Sequence, residues 1–383
     1  TRRSSDLEFI SYLKLRTSYT EVGSPITQTG ITPGTVTDPM SGGVINPIST
    51  YPYPDFKPER TKSYEVGINA RFLNGRISFD GTFYQSNTYN QTFLSVMSPA
   101  TGYSGFYVQA GNVRNRGVEM TLGYNDTFGK VNYSTHLTYT ANQNKIVEMV
   151  HDYRNPIDNS LVNITELTLK EAGDVYLREG YSMSDVFTTG ILQRGRDGKL
   201  VEEGNGYQVD RSQRIRLGSA DPDFTMGWRH DINYKNISLG LMITGRFGGI
   251  VTSQTQAFMD AFGVSKVSAE ARDNGGVMLD GHRYDAERYY NTVGGQGLMS
   301  YYTYDATNVR LQELSLTYSL PKKWLGDVFN NATISFVGRN LFMFYRKAPF
   351  DPDMNGSTGT YNRSDFFMAP SLRNLGFSIK FSL

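Results

Sequence analysis

The residues that could do chemistry in this chain are few and scattered. Its 383 residues include no cysteine, which removes disulfides, thiolate metal sites and cysteine nucleophiles. The four histidines, His136, His151, His230 and His282, are far apart in the sequence and lack the spacing of metal ligands. No nucleophile elbow, zinc-protease or phosphate-loop motif occurs. The sequence therefore predicts no catalytic residue, no cofactor and no metal site.

One acidic stretch resembles the first half of a calcium-binding loop. It runs from Asp351 through Asp353 and Asn355 to Gly356. The twelfth position of such a loop would be Asn362, where calcium sites use a bidentate glutamate, and Pro352 fits the second position poorly. An ordinary surface loop is the alternative, and the sequence favours it.

Aromatic side chains in two long polar segments are the best candidates for ligand contacts. They are Tyr103, Phe106 and Tyr107 in one segment, and Tyr289, Tyr290, Tyr301, Tyr302 and Tyr304 in the other. Sugar rings have C–H faces that pack on aromatic planes, so these residues could contact a glycan. The alternative, which the sequence favours, is packing against other loops or against a lid protein.

Ten segments carry the alternation of apolar and polar residues that is typical of β-strands. They lie near 9–20, 64–72, 76–83, 118–125, 131–142, 224–234, 237–247, 307–319, 332–345 and 375–383. Many have ten or more residues, which is long for a soluble sheet and matches the 9–11 that a tilted strand needs to cross a bilayer. No window of about 18 apolar residues exists, which excludes a helical membrane protein. The pattern predicts an all-β, transmembrane antiparallel β-barrel.

The connections alternate between short and long. Short turns lie at 74–75, 126–129 and 235–236, whereas long loops lie near 21–60, 91–112, 143–222, 249–304 and 346–368. Outer-membrane barrels place short turns in the periplasm and long loops outside. A soluble β-sandwich would explain the alternation but not the strand length or this loop asymmetry. One longer turn, 320–331, could form a helical turn starting at Pro321, with Trp324, Leu325, Val328 and Phe329 at the membrane interface.

Several blocks of sequence resemble SusC/RagA-type TonB-dependent transporters of the Bacteroidetes outer membrane. The blocks are LEFISYLKLRTSYTEVG at 7–23, FKPERTKSYEVGINARFLNGRISFDGTFYQSNTYNQ at 56–91, AGNVRNRGVEMTLGY at 110–124, DPDFTMGWRHDINYKNISLGLMITGRFGG at 221–249, VGRNLFMFYRKAPFDPD at 337–353 and the terminal LGFSIKFSL. They occur in order along nearly the whole chain. Together they make the resemblance specific.

The resemblance implies a 22-stranded barrel filled by a plug, of which residues 1–383 are the last ten or so strands. The plug and the TonB box are then expected outside this sequence. The closing strand, with Leu375, Phe377, Ile379, Phe381 and Leu383 on its apolar face, resembles the family's assembly signal except that it ends in leucine instead of an aromatic residue. The charges Arg71, Arg76, Asp80 and Glu119 fall on the polar face. We expect them to pair with a plug and with one another rather than to select a substrate.

The function implied is TonB-dependent import of a large nutrient across the outer membrane of a Gram-negative bacterium. An oligosaccharide is the first expectation for the cargo and a peptide the second. The partners implied are a SusD-like surface lipoprotein, the TonB complex acting through the plug, and outer-membrane lipid. The 38 basic and 37 acidic residues give a net charge of +1, so nothing selects for nucleic acid. The alternative is a ten-stranded outer-membrane surface enzyme, protease-like, but the loops show no close cluster of acidic residues and histidine in the sequence.

Overall fold

A ten-stranded antiparallel sheet forms the body of the molecule, in which every strand pairs with the next strand of the sheet along the chain. The computed structural model describes residues 9–25, 35–38, 44–47, 50–51, 56–154, 160–169, 175–325, 329–353 and 364–382. The sheet strands are β1 (Ile10–Ser24), β2 (Glu59–Phe72), β3 (Ile77–Tyr89), β4 (Asn112–Phe128), β5 (Val131–Glu148), β6 (Phe224–Tyr234), β7 (Ile237–Phe247), β8 (Asn308–Ser319), β9 (Asn331–Arg346) and β10 (Asn374–Ser382). Ten predicted strands and their order are thus confirmed.

The two faces of this sheet differ in polarity, as the alternation predicts. One row across β1 to β6 reads Leu15, Ile68, Gly81, Met120, Tyr139 and Met226. The adjacent row, on the other face, reads Arg16, Gly67, Thr82, Glu119, Thr140 and Thr225. Leu15 on the apolar face is 71% exposed, so no other part of the described protein covers it. Such a face suits contact with lipid.

The last strand continues this apolar face. In β10, Leu375, Phe377, Ile379 and Phe381 are all more than half exposed, and Phe377 lies opposite Phe336 of β9. Leu383, the remaining residue of the predicted set, lies outside the described residues. Among the described residues, β1 and β10 each have a single neighbour in the sheet.

Backbone conformation explains the short turns. Between β2 and β3, Asn74 and Gly75 have φ of 59° and 85°, the left-handed region that asparagine and glycine tolerate best. The longer turn after β8 contains a 3-10 helix, Lys322–Trp324, that follows Pro321, so the helical turn expected there is confirmed. Trp324 is 62% exposed, and the Phe329 ring lies 5.1 Å from that of Phe381. Val328 lies outside the described residues.

A bulge explains why β8 has a weak alternation in the sequence. Met242 and Ile243 of β7 are adjacent, but their partners Glu313 and Leu311 are two residues apart, so Gln312 is the extra residue. An extra residue shifts the alternation by one position, which puts Leu311 and Leu314 on the same face although they are three apart. A strict period of two therefore fails to describe the strand.

The long connections contain structure of their own. Their strands are Thr35–Asp38, Val44–Pro47, Thr50–Tyr51, Gln91–Val96, Gly105–Ala110, Val150–Arg154, Leu161–Ile164, Glu166–Leu169, Val175–Arg178, Asp185–Leu192, Glu202–Glu203, Gly206–Tyr207, Val209–Ser219, Ile250–Ser253, Val277–Leu279, His282–Tyr284, Thr303–Asp305 and Ser364–Asp365. Their helices are α1 (Gln254–Ala261), α2 (Lys266–Asp273) and α3 (Ala286–Val293), with 3-10 turns at Pro99–Thr101 and Met299–Tyr301. None of the helices in the described ranges is long and apolar enough to cross a membrane.

Candidate functional site

The long connections fold over the polar face of the sheet at the end opposite the short turns. Asn144, Arg246 and Arg310 lie on the polar rows of β5, β7 and β8. The side-chain oxygen of Asn144 accepts a hydrogen bond from the backbone N–H of Met183, at 2.8 Å. The guanidinium of Arg246 donates to the carbonyl of Ala220, at 2.6 Å. Polar side chains of the sheet thus hold the connections in place.

Arg310 makes the strongest of these attachments. Its Nη2 donates to Asp351 Oδ1 at 2.8 Å and to Asp353 Oδ2 at 2.6 Å, and the Arg310 side chain is only 7% exposed. Burial of Asp351 opposes its ionisation, yet the hydrogen bonds from Arg310 and Ser371 hold the pKa of this carboxyl below its usual value. The first two carboxylates of the calcium-like stretch are therefore bound to an arginine. Asn355 and Asn362 lie outside the described residues.

Two adjoining cavities lie among the connections, and the second also reaches the polar face of the sheet at β5. The first, which we call the arginine cavity, has about 450 Å³ and is lined by Tyr176, Phe187, Arg211 and Arg214, by residues 252 and 254 before and in α1, and by Ser364. The second has about 440 Å³ and is lined by residues 142–145 of β5 and by residues 180–185, 216, 219 and 221–223. Asp185 lines both cavities, and its Oδ1 binds Arg216 Nη2 at 2.8 Å.

A strand irregularity brings Arg211 and Arg214 into the same cavity. Residues three apart point to opposite faces of a regular strand. In the hairpin of Asp185–Leu192 and Val209–Ser219, Thr189 pairs with Arg214 while Ile191 pairs with Asp210, so the second strand carries two extra residues. Gly190, opposite them, has φ of 105°, and a Cβ there would lie 2.8 Å from Leu298 and 3.3 Å from Arg211. The bulge therefore needs glycine at position 190.

Aromatic packing holds Arg214 within the cavity. Its guanidinium lies 4.1 Å from the ring centre of Tyr176, whose edge contacts the Phe187 ring at 5.0 Å. The Tyr176 hydroxyl donates a hydrogen bond to Glu166. Burial, and then this hydrogen bond, raises the pKa of Tyr176 to about 12, so the hydroxyl stays protonated near neutral pH. An arginine stacked in this way is positioned before any ligand arrives.

The aromatic residues predicted from the second segment lie in the interior of the connections. Tyr289, Tyr290 and Tyr302 are at most 8% exposed and pack with α1, α3 and Leu298 in one apolar cluster. Tyr301 is partly buried, and its hydroxyl accepts a hydrogen bond from the backbone N–H of Leu192. Tyr304 packs edge-on against Phe350 at 5.6 Å. Burial raises the pKa of the Tyr289 and Tyr302 hydroxyls.

The first aromatic segment is placed similarly. Tyr107 is 8% exposed and lies 5.7 Å from the ring of Phe56, while Tyr103 lies 5.1 Å from that of Tyr51. Phe106 packs against a second apolar cluster that includes Phe93 and Val108. These rings are engaged in packing between connections, and a ligand-binding role for the eight residues stays a prediction. The arginine cavity was not predicted; the spacing Arg211, Arg214, Arg216 within one strand was the available signal.

The structure brings one histidine and one carboxylate of the loops together. His151 and Glu179 are 28 residues apart, yet the Nε2 and Oε2 atoms are 3.0 Å apart. This is one pair rather than a cluster of acidic residues and histidine, and backbone hydrogen bonds between Ile146 and residues 180 and 181 bring the two segments together. Glu179 also accepts the backbone N–H of Met149, and the hydrogen bond to Glu179 raises the pKa of the His151 imidazole. The hydrogen bonds of His151 Nε2 and Glu179 Oε2 thus hold the connection to the end of β5.

Several of the predicted charged residues contact other side chains of the sheet. Asp80 binds Arg16 at 2.7 Å and Asn69 at 2.6 Å, and Asp126 binds Arg76 at 3.4 Å. Arg71 lies over the Tyr12 ring at 5.6 Å. Glu119 lines a polar recess of about 610 Å³ that also includes Arg16 and Glu65. Two of the four predicted charges, Asp80 and Arg76, thus have a partner of opposite charge on the sheet itself.

Comparison with known proteins decides the family. The sequence profile described as "TonB dependent receptor-like, beta-barrel" matches residues 6–244, more than half of the chain. The chain belongs to this TonB-dependent receptor family. Members of the family are outer-membrane β-barrels, in agreement with the antiparallel sheet and its apolar face.

Relatives of this TonB-dependent receptor chain extend the match over its whole length. TonB-dependent receptor P3 of Formosa agariphila is 25% identical over 408 residues, covering 98% of the chain and 40% of that relative. TonB-dependent receptor P26 of the same organism is 25% identical over 321 residues, covering 78% of the chain and 32% of the relative. The chain therefore spans about two fifths or less of the length of these curated relatives.

Solved structures confirm the fold. The structure described as the RagAB peptide transporter superposes with a TM-score of 0.69 at 17% identity, over 97% of this chain and 41% of that one. The RagAB peptide importer in its 'open-open' state gives 0.68 at 18% identity, over 98% and 40%. This chain therefore has the fold of the RagAB chains, and the predicted resemblance to SusC/RagA-type barrels is confirmed in its fold.

Proposed function

We propose that the protein to which this chain belongs imports a large nutrient across the outer membrane in a TonB-dependent manner. The observation that carries the proposal is the ten-stranded antiparallel sheet with one continuous apolar face and one polar face, in a chain of the TonB-dependent receptor family. A lipid-facing exterior and a polar interior are what a transport barrel requires. The cargo expected first is an oligosaccharide, and a peptide comes second.

The arrangement of the long connections supports import of a bound solute rather than free diffusion. They fold over the polar face and enclose the two cavities, so a solute entering from this end meets hydrogen-bonding side chains first. The two curated relatives reported above come from Formosa agariphila, and the superposed chains come from structures described as the RagAB peptide transporter and importer. We therefore also propose an outer-membrane location in a Bacteroidetes-like bacterium, a SusD-like lipoprotein lid over the connections, and coupling to the TonB complex through a plug.

Uptake in the native host tests this proposal. Cells with and without the gene receive fluorescently labelled oligosaccharide and peptide pools, each with and without a proton uncoupler. We expect uptake of one pool to depend on both the gene and the proton gradient, because TonB transmits that gradient. Uptake that is unchanged in the deletion strain for every pool would contradict the transport function. Purification of the native complex without any lipoprotein would contradict the lid.

A further inference from the structure

Building on the proposed import function, we infer that the arginine cavity recognises the carboxylate or sulfate groups of an acidic oligosaccharide through Arg211 and Arg214. Both guanidiniums line the cavity, and both contact only uncharged acceptors among the described residues. Arg214 Nη1 donates to Thr168 Oγ1 at 3.2 Å. Arg211 donates to the Thr189 carbonyl at 3.5 Å and to the Gln296 carbonyl and side chain at 3.4 and 3.3 Å.

Three other arginines in the connections bind carboxylates instead. Arg194 binds Asp280 at 2.5 Å, Arg288 binds Glu202 at 3.1 Å, and Arg216 binds Asp185 at 2.8 Å. Asp185 is the only carboxylate among the described residues that line the arginine cavity, and Arg216 already neutralises it. The described lining of the cavity therefore carries excess positive charge. A guanidinium presents a planar fork of N–H donors that matches the oxygens of a carboxylate, phosphate or similar oxyanion.

The remaining lining favours a saccharide over an acidic peptide. Hydroxyl groups of Thr168, Thr188, Thr189, Thr252 and Ser364 and the amide of Gln254 line the cavity. Hydroxyls and amides both donate and accept hydrogen bonds, so they match the many hydroxyls of a sugar. Among the described residues, the apolar lining consists of Val175, Val186, Phe187, Met299 and the Tyr176 ring, which already carries Arg214, so the polar groups outnumber the apolar ones. The volume of about 450 Å³ lies within the usual range for small-ligand sites.

Arg211 and Arg214 are held in position before a ligand binds. The bulge opposite Gly190 sets the direction of Arg211, and the Tyr176 ring supports Arg214. A preorganised site loses less side-chain freedom on binding than a flexible one. Two guanidinium groups held at one wall of a cavity would bind the neighbouring charged groups of a repeating acidic polymer better than they would bind a single isolated anion.

Binding by the purified full-length protein in lipid nanodiscs, followed by native mass spectrometry, tests the inference. The probes are mixed oligosaccharides from polygalacturonate, alginate and sulfated galactan hydrolysates, the same pools after carboxyl reduction and desulfation, and glutamate-rich hexapeptides. The variants are R211Q/R214Q, R214K, which keeps the charge but loses the fork, and R196Q, an exposed arginine that does not line the cavity. An unchanged thermal unfolding transition shows that each variant is folded.

We expect the unmodified protein to bind an acidic pool about tenfold or more tightly than its neutralised counterpart. The preference should disappear in R211Q/R214Q, fall in R214K, persist in R196Q and weaken with added salt. Equal binding of acidic and neutralised pools, a preference that survives in R211Q/R214Q, binding of the acidic hexapeptides alone, or no binding of any acidic saccharide at millimolar concentration would overturn the inference. If uptake of a neutral pool still depends on the gene and on the proton gradient, the import function stands even though the inference fails. If uptake of no pool depends on them, the import function itself is refuted.

Discussion

The sheet and the connections above it are built by opposite rules. In the sheet, each strand pairs with the next sheet strand along the chain, and long runs of consecutive residues pair without a break. In the connections, partners come from distant segments: the backbone N–H of Tyr207 binds Thr292, 85 residues away, and a five-stranded sheet draws strands from three different connections. A regular local pattern therefore suffices for the first region, whereas the second is a small tertiary fold.

The two regions also place their polar groups differently. The sheet leaves apolar side chains such as Leu15 uncovered on one face and relies on lipid to surround them. The connections bury charged groups, Asp185 and Asp351 among them, and these groups have specific partners, Arg216 and, from β8, Arg310. Substitutions that introduce or remove a single charge should therefore affect stability differently in the two regions.

Removing the charge of Arg310 should have the largest effect. Arg310→Met leaves Asp351 buried without its cation, and breaking a buried ion pair in this way costs about 3 to 5 kcal/mol. We expect the connection after β9 to detach, measured as faster hydrogen exchange and new protease cleavage at residues 347–353 and 364–373. Lys347→Met is the matched control, because that lysine binds Asp305 at 2.7 Å but is 52% exposed, so its loss should destabilise the protein much less. Equal effects of the two variants would contradict the assignment of Arg310 as the main attachment.

A charge introduced on the apolar face tests the sheet. Leu137 lies opposite Leu122 and Trp228, near the middle of the neighbouring β6. An arginine facing the middle of the bilayer costs about 2 to 4 kcal/mol, so Leu137→Arg should lower the free energy of unfolding in liposomes by that amount. Thr140→Arg, on the polar face beside Glu119, should change it by much less. A larger loss in T140R than in L137R would reverse the assignment of the two faces.

The sequence predicts the sheet well because the alternation of apolar and polar residues within a strand shows which residues lie on its exposed apolar face. Leu375 to Phe381 alternate without interruption, and the strand was predicted within one residue of its observed start. The signal weakens at β8, where the bulge at Gln312 changes the phase of the alternation. Period-two reasoning has no means of locating such an insertion before the partner strand is known.

The candidate site was much harder to predict. Tyr289 and Tyr302 were selected as aromatic residues in a long loop, but their burial depends on the packing of α1 and α3, two helices of only eight residues each. Arg211 and Arg214 share a cavity only because of an irregular strand pairing with residues 189–191. Chemical type can be read from sequence, whereas the side to which a residue points in an irregular loop cannot.

The bulge itself offers a smaller test within the connections. Gly190→Ala places a side chain at φ of 105° and crowds Leu298, so we expect a loss of about 1 to 3 kcal/mol and a displaced Arg211. Gly198→Ala is the control: its φ is 79°, but no atom lies within 4 Å of the added Cβ, so only backbone strain applies. Thermal unfolding gives the stability, and binding of the acidic saccharide pool reports the position of Arg211. Unaltered binding in G190A would show that the bulge does not position that arginine.

The smallest expected effect is a dependence on pH at the exposed contact of His151 with Glu179. The hydrogen bond to Glu179 raises the folded-state pKa of His151 above its usual 6.5. Stabilisation from the charged pair is therefore complete below that value and disappears as pH rises through the folded-state pKa. We expect hydrogen exchange at 149–154, corrected for its intrinsic pH dependence, to be slower near about pH 6 than near about pH 8. Glu179→Gln retains an oxygen acceptor for the Met149 N–H but removes the charge, so this difference should vanish in E179Q, and its persistence there would assign the pH response to another group.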